Sequence, residues 1–377
     1  KDSQEQFATP PWCAMRLLLA GAALAWATPQ DVRDYTFERY SSEFDKKYTE
    51  EEAALRRSIL EANIQKITAH NEAYHQGHHG WYMALNHLAD RTPEELKQLR
   101  SKSKTPPGAA PALQTLDLAA LEALPPTIDW RRHGVLTPVK NQGQCGSCWA
   151  FAATQTIESA YAIATGRLIE LSPQTFVDCV KNPQECGGTG GCEGAIAELA
   201  FNYTVEHGLP AASAMPYTAR DGQCQGYSPA VKASGYVRLP SNDAGALAAA
   251  LAHTGPVAVS VAAEQWSFYG GGVFDGCSGA LGTDIDHAVQ AVGYSPDYWV
   301  IRNSWGPSWG EGGFIRLSRK KDATMQVDKT PADGYSCKPY PKEIKVAGEC
   351  GVLSDSSYPT GVGHAADFMR DLAGVMV

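Results

Sequence analysis

Hydrophobic and polar positions divide this chain into stretches of different period. Across residues 28–100 the chain is charged, and large apolar side chains return every three or four positions, first at Phe37, Tyr40, Phe44 and Tyr48, which predicts helix. Residues 49–71 contain neither Gly nor Pro and predict a second, longer helix. Thr49 stands three residues before Glu52, the spacing of a capping box, and Leu55, Ile59 or Leu60, Ile64 and Ile67 supply its apolar stripe. Residues 101–123 are rich in Pro, Ala and small polar side chains, the composition of an exposed, cleavable connection. Beyond it, residues 148–165 predict a helix with Ala153, Ile157, Ala160, Tyr161 and Ala164 on one face, ended by Gly166. A shorter helical run covers residues 195–203. After about Val231 the period falls to two, with strands predicted at residues 256–261, 287–294, 298–303 and 313–317. Helices first and sheet second imply an α+β protein with two lobes and a cleft between them.

The N-terminal end follows another pattern. Met15-Arg16 leads into the apolar run LLLAGAALAWA at residues 17–27, which ends small-x-small at Ala25-Trp26-Ala27. This predicts a secretory signal peptide cut before Thr28, and the run is shorter than the ~20 residues a bilayer span needs. On this reading residues 1–14, Cys13 included, lie upstream of the start and carry no function. With 377 residues, 44% hydrophobic and 19% charged, the chain is globular. Its formal charge of −9 argues against a nucleic-acid binder, which needs a basic face. Ten cysteines fit the secretory pathway, where disulfides are permitted.

Residues 142–149 read QGQCGSCW, and Cys148 falls where a helix is predicted to begin. Helix N-terminal N–H groups stabilise a thiolate and so lower a thiol pKa that starts near ~8.5. An imidazole must complete the activation by pairing with the thiolate and protonating a leaving amine. His287 opens an alternating strand, and Asn303 follows 16 residues later with Trp305 beside it to shield the His-Asn bond from water. Cys145-x-x-Cys148 as a redox pair would need a βαβ pattern, and as half a zinc site a second CxxC or a close His pair; neither is present. His70, His75, His78, His79 and His87 match no metal-site spacing, so neither metal nor cofactor is expected.

Three segments, QGQCGSCWAF, DHAVQAVGY and RNSWGPSWGEGGFIRL, together resemble the papain-like cysteine proteases, the cathepsin L-like branch in particular. The resemblance implies a two-lobed fold with a helical left lobe and a β-barrel-like right lobe, preceded by a helical inhibitory prodomain. It implies a cysteine endopeptidase acting as a monomer on protein and peptide substrates. Cys148 would be the nucleophile, His287 the general acid/base, Asn303 the orienting residue and Gln142 an oxyanion donor beside the Cys148 N–H. Trp305 and Trp309 match the family's cleft aromatics. Gly194 and Ala195, Ile285, Asp286 and Ala288 fall on substrate-binding positions, with Ala195 where a second Gly is usual. Asp355 aligns with the floor of the S2 pocket, where a carboxylate would take a P2 Arg as well as Leu or Phe.

The first part of the chain resembles the family's propeptide. Glu52, Arg56, Leu60, Asn63, Ile67 and Asn71 fall on its first motif, with Leu60 in place of Phe, and residues 84–90 fall on its second. Residues 28–123 would then be an intramolecular inhibitor lying through the cleft in reverse, cut between Arg100 and Leu124 to release an enzyme of residues 124–377. Acid would weaken docking through prodomain carboxylates and histidines such as His78 and His79. The destination would be a lysosome, a vacuole or the extracellular space. A catalytically silent homologue serving in binding or storage is the rival reading, and a thiol oxidoreductase a third.

The resemblance also implies bridges Cys145–Cys192, Cys179–Cys224 and Cys277–Cys350. Cys186 and Cys337 have no family counterpart. Cys337 lies in a charged stretch, residues 319–348, that reads as an insertion, and a fourth bridge between these two would pin it to the first lobe. The loop between Cys277 and His287 is longer than in papain, Asn202-Tyr203-Thr204 is a glycosylation sequon, and residues 360–377 extend past the family's usual end.

Overall fold

A computed structural model describes residues 29–100, 124–277 and 283–368. The signal-like run, the 101–123 connection, part of the loop before His287 and residues 369–377 lie outside the described residues.

Helix α1 (Phe37–Glu43) starts at Thr36, whose hydroxyl accepts from the Arg39 N–H. It stops before Phe44 as Asp45 turns the chain at positive φ, so Tyr48 falls outside it and packs on Phe37 from the following loop. Helix α2 (Glu50–His75) runs past the expected end. Thr49 accepts from the Glu52 N–H at 3.3 Å, whereas the Glu52 carboxylate binds Arg56 at 3.0 Å, so the box is closed on one side only. Leu60, Ile64 and Ile67 are buried, but Leu55 is 53% exposed. Arg56 turns inward instead, bound by Glu52, by Glu95 at 2.7 Å and by the Asp90 carbonyl at 3.0 Å, which makes burial of its charge tolerable. Strand β1 (Trp81–Met83) and helix α3 (Pro93–Gln98) follow, the latter opened by a complete Thr92/Glu95 capping box. Asn63 donates to the Ala89 carbonyl, and Asn71 both donates to and accepts from the Met83 backbone.

After β2 (Ile128–Asp129) come α4 (Cys148–Thr165), α5 (Pro173–Cys179) and α6 (Ala197–His207), the left lobe. Helix α4 has the predicted bounds and ends on Gly166 at φ +69°, but it is not one-faced. Phe151, Thr154 and Glu158 are as buried as Ile157, because α4 is wedged between α6 and the sheet. The right lobe follows as β3 (Val231–Lys232), β4 (Gly235–Arg238), α7 (Ala244–His253), β5 (Val257–Val261), β6 (Tyr269–Phe274), β7 (His287–Tyr294), β8 (Tyr298–Arg302), β9 (Phe314–Ser318), β10 (Met325–Asp328), β11 (Ile344–Ala347), β12 (Ser356–Thr360) and β13 (Gly363–His364). Its main sheet runs β1-β6-β9-β8-β7-β5-β12-β4 with β2 added on β7. The two end strands do not pair, so the lobe is an open sheet where a barrel-like closure was expected. One end strand is the prodomain's own: β1 lies antiparallel on β6, and the right-lobe core continues into the prodomain through Trp81 and Met83.

Charges inside the molecule tie the lobes together. Arg302 donates to the Thr137 and Pro138 carbonyls at 2.6 Å each, and the buried Glu158 takes Lys140 at 2.7 Å and the Thr137 hydroxyl at 2.6 Å. Disulfides join Cys145–Cys192, Cys179–Cys224, Cys277–Cys350 and Cys186–Cys337.

Candidate active site

Cys148 is the first residue of α4, fully buried and outside the four bridges. No acidic side chain lies in the first turn, so the helix dipole acts on the thiol unopposed there. Two loops hold this end of the helix. Ser147 shares a 2.6 Å hydrogen bond with the Tyr217 hydroxyl, which also donates to the Gln142 carbonyl at 2.7 Å. Tyr217 therefore fixes the loop of the nucleophile and that of Gln142 together.

His287 stands at the start of β7, opposite Val261 of β5. Its Nε2 lies 2.8 Å from Asn303 Oδ1, and the same oxygen accepts the Ser304 N–H at 2.8 Å. The second bond sets the amide's orientation, and an oxygen facing Nε2 can only accept, so Nε2 carries the proton in the neutral ring. Nδ1 is buried and makes no hydrogen bond, which leaves it as the ring atom for proton transfer. Trp305 lies 4.9 Å from the imidazole and Trp266 meets it edge-on at 6.3 Å. This burial, with the Arg100 charge adding to it and the Asn303 bond opposing, pushes the imidazole pKa down to about 3. While the prodomain is docked, His287 is held neutral.

Gln142 points its Nε2 at the Leu99 carbonyl, 2.9 Å away, and at the Cys145 carbonyl at 3.0 Å. Its Oε1 accepts the Ser304 hydroxyl at 2.6 Å, so the right lobe aims it. The prodomain thus lays a peptide carbonyl on the donor expected to hold an oxyanion. The next residue, Arg100, lies 2.6 Å from Asp286, whose other oxygen accepts the Ala263 N–H. A cavity of about 640 Å³ beside this point has Lys66, Lys97 and Arg100 of the prodomain on one side and Glu264, Asp284 and Asp286 on the other. At this contact the 124–368 part supplies carboxylates and the N-terminal part mainly cations, with Glu94 its one carboxylate in the lining. His78 and His79 are exposed. His79 stacks on His70 at 4.4 Å, and His70 packs on Trp81, which touches Phe274 of the protease. His87 meets Ser308 at 3.0 Å.

The expected substrate-binding residues divide. Trp305 and Trp309 are buried, Trp305 over His287 and Trp309 against Trp266, so with the prodomain docked neither offers an open cleft surface. Gly194 takes φ +89° and accepts the Gly190 N–H, and Ala195 is buried with the left-lobe core. Ala288 is half-buried, whereas Ile285 is fully covered, with Gly334 packed on its backbone. Asp355 is buried, bound by Arg238 at 3.1 Å and by the Ser260 hydroxyl at 2.7 Å, with Glu198 3.9 Å from the same guanidinium. The chain already supplies an arginine of its own to this carboxylate. Arg238, Glu198, Tyr217 and Ser304 were not singled out in the sequence, since each is a lone polar position whose partner is remote along the chain.

Residues 124–334 match the papain family cysteine protease, and residues 37–96 match the cathepsin propeptide inhibitor domain. The chain is 37% identical over 287 residues to a cathepsin L-like proteinase of Phaedon cochleariae, covering 74% of this chain and 86% of the other. It is 36% identical to cathepsin K of Mus musculus, covering 82% and 95%. Among solved structures, digestive procathepsin L 3 of the Tenebrio molitor larval midgut superposes with a TM-score of 0.71 at 31% identity, covering 86% of this chain and 97% of the other, and a recombinant stem bromelain precursor with 0.70 at 32%, covering 86% and 97%. The chain belongs to the papain family of cysteine proteases, and it is a cysteine endopeptidase that carries its propeptide inhibitor domain as a zymogen does.

Proposed function

We propose that the peptide bond is cut by Cys148, His287, Asn303 and Gln142 acting together. The Cys148 thiolate attacks the scissile carbonyl carbon and forms a C–S bond, and the carbonyl oxygen takes the electron pair between Gln142 Nε2 and the Cys148 N–H. Collapse of this adduct breaks the C–N bond, and the protonated His287 gives its proton to the departing amine. Neutral His287 then draws a proton from water, which attacks the thioester and releases the acid and the thiol. Asn303 holds the ring in register throughout. The observation that carries this reading is the Leu99 carbonyl lying 2.9 Å from Gln142, a peptide group set where the oxyanion would form.

Inhibition follows from the same contact. Leu99 and Arg100 fill the site, and Arg100 adds a positive charge against protonation of His287. Acid undocking rests on His87. Burial first, then the charges of Lys46 and Arg91, hold the His87 imidazole down to about 4, with Asp90 opposing. Docking strength from this group is present above about pH 6.5 and is lost as pH falls toward 4. Release would be completed by cleavage between Arg100 and Leu124, leaving residues 124–377, and the four bridges suit the secretory pathway with a lysosomal, vacuolar or extracellular destination. For the S2 pocket, the paired Asp355 favours uncharged P2 side chains over Arg.

The test is alkylation by an epoxide thiol inhibitor. The expected result is label on Cys148 after incubation at acid pH and little at neutral pH, with none in Cys148→Ser. Equal labelling at both pH values would remove the acid step, and labelling without peptide hydrolysis would restore the silent-homologue reading.

A further inference from the structure

The insertion at residues 319–348 does not hang off the right lobe. Its hairpin, β10 on β11, is seated on the rim of the loop before His287: Gln326 accepts the Thr283 hydroxyl, and the Lys329 N–H donates to Asp284 at 2.9 Å. From there residues 331–340 cross to the left lobe. The Gly187 N–H donates to the Ser336 carbonyl at 3.1 Å, the Lys338 N–H to the Gln184 carbonyl at 3.0 Å, and the Tyr340 hydroxyl to the Glu185 carbonyl at 2.6 Å. Lys338, nearly buried, pairs with Glu185 at 2.7 Å, and Cys337 is bonded to Cys186. This crossing is a strap with both ends fastened.

Its course across the cleft is fixed by Gly334. A Cβ on Gly334 would lie 2.8 Å from the Ile285 carbonyl, and one on Gly187 would collide with the Gly334 carbonyl and stand 3.0 Å from that of Ala195. Gly334 therefore sits between Ile285, two residues before the catalytic imidazole, and the Gly187–Ala195 wall of the opposite lobe. The next residue, Tyr335, lies with its ring 5.7 Å from the Arg238 guanidinium that is bound to Asp355. Asp355 is the residue expected at the floor of the S2 pocket, and taking the substrate-binding positions Ala195 and Ile285 as its walls puts Gly334 across its mouth and Tyr335 beside its floor.

We propose that the strap narrows the cleft for substrate residues beyond the second one before the scissile bond, so that internal cleavage is slowed and the enzyme favours removal of one- or two-residue pieces from free peptide N-termini. The inference rests on the assignment of Cys148 as nucleophile and of the Ala195–Ile285–Asp355 pocket as the P2 site. A chain continuing N-terminally from P2 meets the backbone of Gly334, which two lobes and a disulfide hold in place. Steric closure of this kind acts on substrate length more than on P1 chemistry.

Acid-activated enzyme is given two fluorogenic amides, Ala-Arg with a free N-terminus and Ala-Ala-Ala-Arg with an acetylated one. The expected result is a kcat/KM at least tenfold higher for the short peptide. Both Lys338→Ala, which removes the strap's ion pair to Glu185, and the double variant Cys186→Ser/Cys337→Ser should bring the ratio toward one, mainly by raising kcat/KM for the long peptide; the first keeps the bridge and remains informative if the second folds poorly. Equal cleavage of the two peptides by the parent enzyme, or a ratio unmoved by either variant, would overturn the proposal. Iodoacetamide labelling of Cys148 separates the readings: label with equal cleavage leaves the protease assignment standing and removes the strap's role, whereas absence of both label and cleavage removes the assignment itself.

Discussion

Two segments close over the same cleft, and they are fastened in different ways. The prodomain enters from the right-lobe side with a strand on β6, an asparagine, Asn86, donating to the Ser267 carbonyl at 2.9 Å, and a plug at Leu99 and Arg100. All of these contacts are non-covalent, one of them, Arg100 with Asp286, is ionic, and an imidazole sits at the seam. The strap is anchored by a disulfide, a nearly buried ion pair and backbone hydrogen bonds at both ends. Contacts of the first kind respond to protonation, and those of the second kind do not separate without breaking a covalent bond. One closure is built to leave and the other to stay, so inhibition and substrate length are controlled by different segments.

The largest break in that comparison comes from the prodomain's own anchor. Asp90 is wholly buried and receives Lys46 at 2.9 Å, the Tyr40 hydroxyl at 3.0 Å and the Tyr48 hydroxyl. Asp90→Ala leaves a nearly buried ammonium and two hydroxyls without their acceptor, at a cost of about 3–5 kcal/mol. The expected outcome is Cys148 labelling at neutral pH without acid treatment, with the Cys186–Cys337 bridge still intact by peptide mapping. Continued latency at neutral pH would mean that the plug holds without the folded prodomain behind it.

A smaller effect belongs to His87. Its depressed pKa marks a group that docking keeps neutral, so protonation favours release in the window from about pH 6.5 down toward 4. His87→Gln removes the titration and keeps a polar group against Ser308. The midpoint of acid-induced Cys148 labelling should move to lower pH by several tenths of a unit. An unchanged midpoint would remove His87 from the acid response.

How far these features could be read in the sequence depended on how local they are. The bounds of α4 and of β7, the Thr49 cap and the pairing of His287 with Asn303 all follow from short-range pattern or motif. Leu55 misled because propensity and period place it on the stripe, while the charge network of Arg56, Glu52 and Glu95 rotates another residue inward. The Gln142–Ser304 bond spans 162 residues and the Arg238–Asp355 pair 117, and no period or spacing rule reaches that far. At Asp355 the aligned position is readable, and the arginine bound to it is not.

The same charge group sharpens the contrast between the two closures. Glu198 is buried beside Arg238 and Asp355, and burial first, then the Asp355 charge, push its pKa up to about 7 against the opposing Arg238 charge. A carboxyl that binds its proton more tightly when folded lends stability that is fully present below about pH 4.5 and is lost as pH rises through 7. Acid therefore loosens the prodomain at His87 and firms the floor beneath the strap at Glu198. Glu198→Gln, which keeps the shape and removes the charge, should stabilise the acid-activated enzyme by roughly 1–3 kcal/mol at pH 7.5 and change little at pH 4.5. Thermal melts at the two pH values check this. A variant equally stable at both relative to the parent would show that Arg238 shares its charge evenly between Asp355 and Glu198, and that the floor under the strap is indifferent to pH.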